Sequence, residues 1–175
     1  MEAVSSIAGV IALSLQVYLL MRPHNRGLLL LLSGVMFLWA FHYWGLGSPA
    51  AAGFHIWAAV AMWTGIVANR YFKDARLVMA AAITIVNLVL GAVLYQQPAD
   101  LIMLAGNISF ALCHILLAGR ALRWGYIGAE SIVGVAAFSL GSLPGMAIAV
   151  LMALANARAL SRWQPAQDPV VAAAG

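Results

Sequence analysis

Six side chains with chemical potential stand in largely apolar stretches: Gln16, His42, His55, His114, Glu130 and Asn156. A carboxyl beside an imidazole can pass a proton, and an amide can hold a polar solute. Such groups are costly in an apolar setting, and a charge at mid-membrane costs about 2.5–3.5 kcal/mol on insertion scales. Polar groups kept at that cost point to a shared function. Helix positions read from the sequence put Glu130 about 9 Å inside its helix, at 1.5 Å per residue. His114 falls at nearly the same depth, so the two are expected to pair across a hairpin. Gln16 and Asn156 fall in the same layer. The four are expected either to line a polar cavity or to form a hydrogen-bonded cluster that joins helices, each such bond contributing about 0.6 kcal/mol on average.

A second set gathers toward the other face, where His42 and His55 are accompanied by Trp39, Tyr43, Trp44 and Trp57. Rings at that depth usually form an interfacial belt; the alternative is a vestibule in which a ring stacks on substrate. Two histidines are too few for a metal site, and neither HExxH nor Cys/His metal spacing occurs. No Ser-His-Asp set, paired carboxylates or phosphate-cradling Gly loop is present, so an enzyme is not expected. Cofactors are not expected either. Cys113 is the only cysteine, so an intramolecular disulfide is excluded.

The elements that must position these residues are membrane helices. Of 175 residues, 65% are hydrophobic and 8% charged, and the mean hydropathy is +0.97. Soluble domains carry roughly a quarter charged residues, so lipid is the expected solvent. Apolar runs of about 17–21 residues, the length that spans a bilayer, predict seven helices over 4–21, 28–44, 50–69, 77–95, 100–119, 124–140 and 145–162. The predicted class is all-α, a polytopic membrane protein. The net charge of +4 is no nucleic-acid signal, because the nine Lys and Arg form no stripe. They fall instead in alternate connections: Arg22 and Arg26; Arg70, Lys73 and Arg76; Arg120 and Arg123; Arg158 and Arg162. The other three connections carry none, which places every basic residue on one side. The positive-inside rule makes that side cytoplasmic, with the N-terminus outside. No signal peptide is expected ahead of the first helix. The segment 163–175 reads as a disordered cytoplasmic tail.

The chain repeats weakly. Ala8-Gly9 matches Ala105-Gly106, and Leu46-Gly47-Ser48-Pro49 matches Leu140-Gly141-Ser142-Leu143-Pro144. Two parallel three-helix units, about 4–69 and 100–162, are therefore expected around a linker helix at 77–95. Asn87 in that linker is expected to hydrogen-bond a neighbouring helix or a second copy of the chain, which leaves room for a homo-oligomer.

The three-plus-one-plus-three plan resembles the SWEET and PQ-loop transporters, although Pro23 is followed by His24 rather than Gln. The sequence itself resembles the YgjV family of bacterial inner-membrane proteins. That likeness rests on Phe41-His42-Tyr43-Trp44-Gly45-Leu46-Gly47, on Pro98-Ala99-Asp100-Leu101, and on Asn156 followed by Arg158, and covers about residues 30–162. The Asn and Arg expected in that family's third helix fall near Ala58 and Ala61. The resemblance implies an inner-membrane location. Together these features predict a transporter or facilitator for a small polar solute, set in the lipid bilayer, with an accessory or scaffold subunit as the competing expectation.

Overall fold

A computed structural model of the chain describes residues 2–20, 26–71, 73–117 and 119–162. All regular structure in them is helical: α1 (Glu2–Leu20), α2 (Arg26–Gly45), α3 (Pro49–Tyr71), a 3₁₀ turn at Lys73–Ala75, α4 (Arg76–Leu94), α5 (Pro98–Leu116), α6 (Gly119–Ser139) and α7 (Leu143–Ser161). Each is about 28–35 Å long at 1.5 Å per residue, which matches a hydrocarbon core of about 30 Å. Proline stands in the first turn of α3, α5 and α7, where a missing N–H disrupts no intrahelical bond. Among the described residues, α4, α5 and α7 are long and apolar enough to cross a membrane, and Ala3–Leu19 is a shorter apolar helix. Large apolar side chains stand outward on every helix. Leu77, Val93 and Leu143 are each more than 70% exposed, a surface that water would not tolerate and lipid would.

Packing follows a simple order. α1 touches α2, α2 touches α3, α3 touches α5, α5 touches α6, α6 touches α7, and α7 returns to α1. These six helices close a ring. Exchanging the first three for the last three turns the α3–α5 seam into the α7–α1 seam, so the ring has the two-fold pattern of a parallel repeat. α4 stands beside it, packed on α3 and α5. Ala61 of α3, Ala80 and Ile83 of α4, and Ala111 and Ile115 of α5 form a small core there. The main core joins the halves: Trp39, Tyr43 and Phe54 of the first half cluster with Met103, Leu104, Ala136 and Ile148 of the second.

The helix bounds agree with the sequence reading to within about three residues, with one exception. α6 begins at Gly119, a full turn before the expected 124. Arg120 and Arg123 lie inside the helix rather than ahead of it, because long basic side chains can carry their charge to the interface while the backbone continues into it. The basic positions Arg26, Arg70, Lys73, Arg76, Arg120, Arg123, Arg158 and Arg162 all fall at one end of the bundle, here the basic end. The α2–α3 and α6–α7 turns mark the other, the turn end. Arg22, His24 and the segment 163–175 lie outside the described residues.

Candidate functional site

The α2–α3 and α6–α7 turns are built alike, bond for bond. Leu46 and Leu140 N–H donate to the carbonyls of His42 and Ala136 (3.1 and 2.9 Å). Ser48 and Ser142 N–H donate to those of Tyr43 and Ala137 (3.0 and 2.9 Å). Gly47 and Gly141 supply the reversal at φ +78° and +69°, a region in which a side chain costs about 1–2 kcal/mol. Each serine then caps the next helix, Ser48 Oγ accepting from Ala51 N–H at 3.2 Å and Ser142 Oγ from Gly145 N–H at 3.0 Å. The Leu-Gly-Ser match read from the sequence is therefore also a match of backbone hydrogen bonding in the two turns.

Each serine also ties one half of the molecule to the other. Ser48 Oγ donates to Asp100 Oδ1 at 2.8 Å. Asp100 Oδ2 accepts from the N–H groups of Gln96 and Gln97, each at 3.0 Å, which satisfies the start of α5. A carboxylate is well placed at a helix N-terminus. At the other seam His42 bridges two elements. Its Nδ1 lies 2.8 Å from the Ser5 carbonyl, and a carbonyl only accepts, so Nδ1–H is the donor. Nε2 is then the acceptor and takes the Ser142 hydroxyl proton at 2.8 Å. Tyr43 also hydrogen-bonds the Ser142 side chain. With its proton committed to His42, Ser142 Oγ receives both the Tyr43 hydroxyl and Gly145 N–H. Gly145 is required for this arrangement, because a Cβ there would collide with the Tyr43 hydroxyl. A Cβ at Gly9 would likewise lie 2.6 Å from the His42 ring.

Around this bridge the rings form a packed stack. Tyr43 stacks on His55 at 4.8 Å, and Trp39 meets His42 edge-on at 5.7 Å. Trp39 Nε1–H donates to Gln16 Oε1 at 2.7 Å, so the amide of α1 joins the aromatic cluster. His55 Nδ1–H donates to the Ala51 carbonyl one turn back at 2.8 Å. The expected interfacial belt is corrected here: Trp39 and Tyr43 are buried in the core, and Trp44 alone of the set is strongly exposed. Trp57 packs at the α3–α4–α5 contact, where its indole N–H is buried with no hydrogen-bond partner.

The single layer of Gln16, His114, Glu130 and Asn156 is also corrected. His114 lies about 3 Å from the end of α5, whereas Glu130 lies about 16 Å into α6 because that helix starts early. Gln16, His114 and Asn156 each take a separate partner, and none of them pairs with Glu130. The Tyr126 hydroxyl shares a hydrogen bond with the His114 ring, 2.9 Å from Nδ1. Asn156 Oδ1 accepts from Arg123 at 3.1 Å, and its Nδ2 donates to the Met152 carbonyl at 2.9 Å. Both of these pairs sit toward the basic end and stay within the second half. Glu130 is 4% exposed and has no hydrogen bond among the described residues. Asn87 does join a neighbouring helix, accepting from Asn107 Nδ2 at 2.7 Å.

The sequence reading did not single out Ser5, Ser48, Ser142, Tyr126 or Asn107. Asp100 entered the sequence reading only through the Pro98-Ala99-Asp100-Leu101 likeness, although Pro98 two residues before it marks the position as the first turn of a helix that an acid can cap. The repeated Leu-Gly-Ser was read as a turn and carried no sign that the hydroxyls reach across the seams. Among the described residues no group of three or more His, Cys, Asp or Glu is gathered to hold a metal ion.

No curated protein and no solved structure matches the chain. Residues 3–167 match the YgjV family, described as bacterial inner membrane proteins. That span takes in all seven helices, both serine turns and the His42 bridge, and on that match the chain belongs to the YgjV family of bacterial inner membrane proteins.

Proposed function

We propose that this protein crosses the inner membrane seven times and passes a small polar solute by rocking of its two three-helix halves. The basic end faces the cytoplasm by the positive-inside rule. The turn end and the N-terminus then lie outside. One observation carries the reading: the bonds that join the halves, His42–Ser142, Tyr43–Ser142 and Ser48–Asp100, gather at the turn end. At the opposite end Arg123–Asn156 and His114–Tyr126 stay inside one half. A two-fold ring joined across both seams at one face is what alternating access requires of its outward-closed state. In this reading His42 belongs to the latch, Gln16 and His55 form the solute-facing set beneath it, and His114 and Asn156 border the cytoplasmic mouth. No bond-making step is invoked.

The test is counterflow uptake of labelled sugars, amino acids and vitamins by the purified protein in liposomes. Uptake of at least one solute is expected, reduced by Gln16→Ala and His55→Ala. A panel without any protein-dependent uptake rejects transport and favours an accessory subunit. That second reading draws on the shared apolar core, in which Trp39 and Phe54 interlock with Met103, Leu104 and Ile148 as in a rigid scaffold.

A further inference from the structure

Between α6 and α7 runs a groove of about 350 Å³. Ser131, Gly134, Val135 and Phe138 form one wall, and Met146, Ala149, Val150 and Ala153 form the other. Ser131, Val135, Phe138 and Val150 are exposed, so the groove opens on the outer surface of the bundle, toward acyl chains. Its walls are apolar apart from Ser131, whose hydroxyl is bonded back to the Ile127 carbonyl at 2.8 Å. At its floor stands Glu130, more than nine-tenths buried and without a hydrogen-bond partner among the described residues. The two phenols within its electrostatic reach are committed elsewhere, Tyr43 to Ser142 and Tyr126 to His114.

A buried carboxyl without a hydrogen-bond partner is costly, and the groove it lines is the side from which a partner can enter. We infer that this groove binds a hydrophobic amine: an apolar body that fills the walls and an ammonium that meets Glu130. The fit is one of size and charge. A volume of about 350 Å³ lies in the range of small-ligand sites, and an ammonium supplies both the positive charge and N–H donors, the strong form of the bond. Depth excludes a phospholipid headgroup as the source. Glu130 is about 13–16 Å from either end of α6, well below the interface where headgroups lie. The ligand therefore carries its amine into the hydrocarbon layer. This site faces lipid and stands whether or not the ring transports a polar solute.

The experiment uses the full chain in phosphatidylcholine nanodiscs and a benzophenone-bearing alkylammonium, with decylamine as competitor and the matching alkylcarboxylate as control. The expected result is saturable photolabelling on the peptides 131–138 and 146–153, blocked by decylamine and absent with the carboxylate. Glu130→Gln, nearly isosteric, is expected to weaken labelling at least tenfold. Val150→Trp and, independently, Val135→Trp fill the groove from opposite walls and are expected to abolish it. Both positions are more than half exposed, so the larger ring has room at the surface. Labelling that does not saturate, falls elsewhere or survives Glu130→Gln overturns the inference. A dimer that Val150→Trp converts to monomer also overturns it, because the occupant is then a second copy of the chain.

Discussion

Ser142→Ala removes one oxygen and opens three bonds. Gly145 N–H loses its cap, His42 Nε2 loses its donor and Tyr43 loses its acceptor. All three groups belong to buried residues, and water cannot replace the serine. Two scales bound the cost. Side-chain hydrogen bonds in membrane proteins average about 0.6 kcal/mol, which gives about 2 kcal/mol for three. Leaving a buried polar group unpaired costs about 1–3 kcal/mol and losing a cap about 1 kcal/mol, which together give about 5 kcal/mol. The higher figure applies when Tyr43 and His42 stay pinned, and their ring stack with Trp39 and His55 favours that outcome. At 2–4 °C per kcal/mol for a chain of this size, the two scales span a loss of roughly 4–20 °C, and the higher one gives roughly 10–20 °C. Tryptophan-fluorescence melting in detergent measures it, with Ser131→Ala as reference, since that hydroxyl is exposed and bonds only its own helix. A Ser142→Ala melting point indistinguishable from that of Ser131→Ala would refute the claim that this hydroxyl ties the α7–α1 seam.

Other substitutions probe other joints. Gly145→Ala pushes a methyl into the Tyr43 hydroxyl and is expected to cost about 1–3 kcal/mol by overpacking, read as a lower melting point that Tyr43→Phe partly restores. Asp100→Ala strips acceptors from the Ser48 hydroxyl and two backbone donors. It is expected to lower the melting point more than Asp100→Asn, which keeps one acceptor oxygen. Asn87→Ala breaks the Asn87–Asn107 bond and is expected to cost about 0.6–1.7 kcal/mol. Faster amide exchange in α4 with little change in α6 or α7 is the accompanying sign. Gly47→Ala and Gly141→Ala each force a side chain into the left-handed region. Each is expected to cost about 1–2 kcal/mol, and similar melting shifts for the two follow from the identical turns.

The helices were legible because length, hydropathy and the alternation of basic connections all report on the same bilayer. The likeness of the two turns was legible in Leu-Gly-Ser, since a reversal that needs positive φ recruits glycine in both. The start of α6 was not, because Arg120 and Arg123 resemble a loop when read by hydropathy, and that one turn displaced Glu130 from the depth of His114. The partners of His42, Ser142 and Asp100 were not legible either. They join positions 37–100 residues apart, and no local pattern encodes which seam a serine will face. Buried Trp39 and Tyr43 read as belt residues for a related reason: an aromatic near a helix end looks the same whether its ring turns toward lipid or toward a neighbouring histidine.

The position of α4 makes the ring's two joints unequal. Between α3 and α5 it acts as a splint, fastened by Asn87 to α5 and packed through Ala80 and Ile83. The joint between α7 and α1 has no such splint. A closed hoop with one reinforced joint and one plain joint swings about the first and parts at the second. The His42–Ser142 contact is then the clasp of a one-sided door, and any opening of this molecule is expected to begin beside α1.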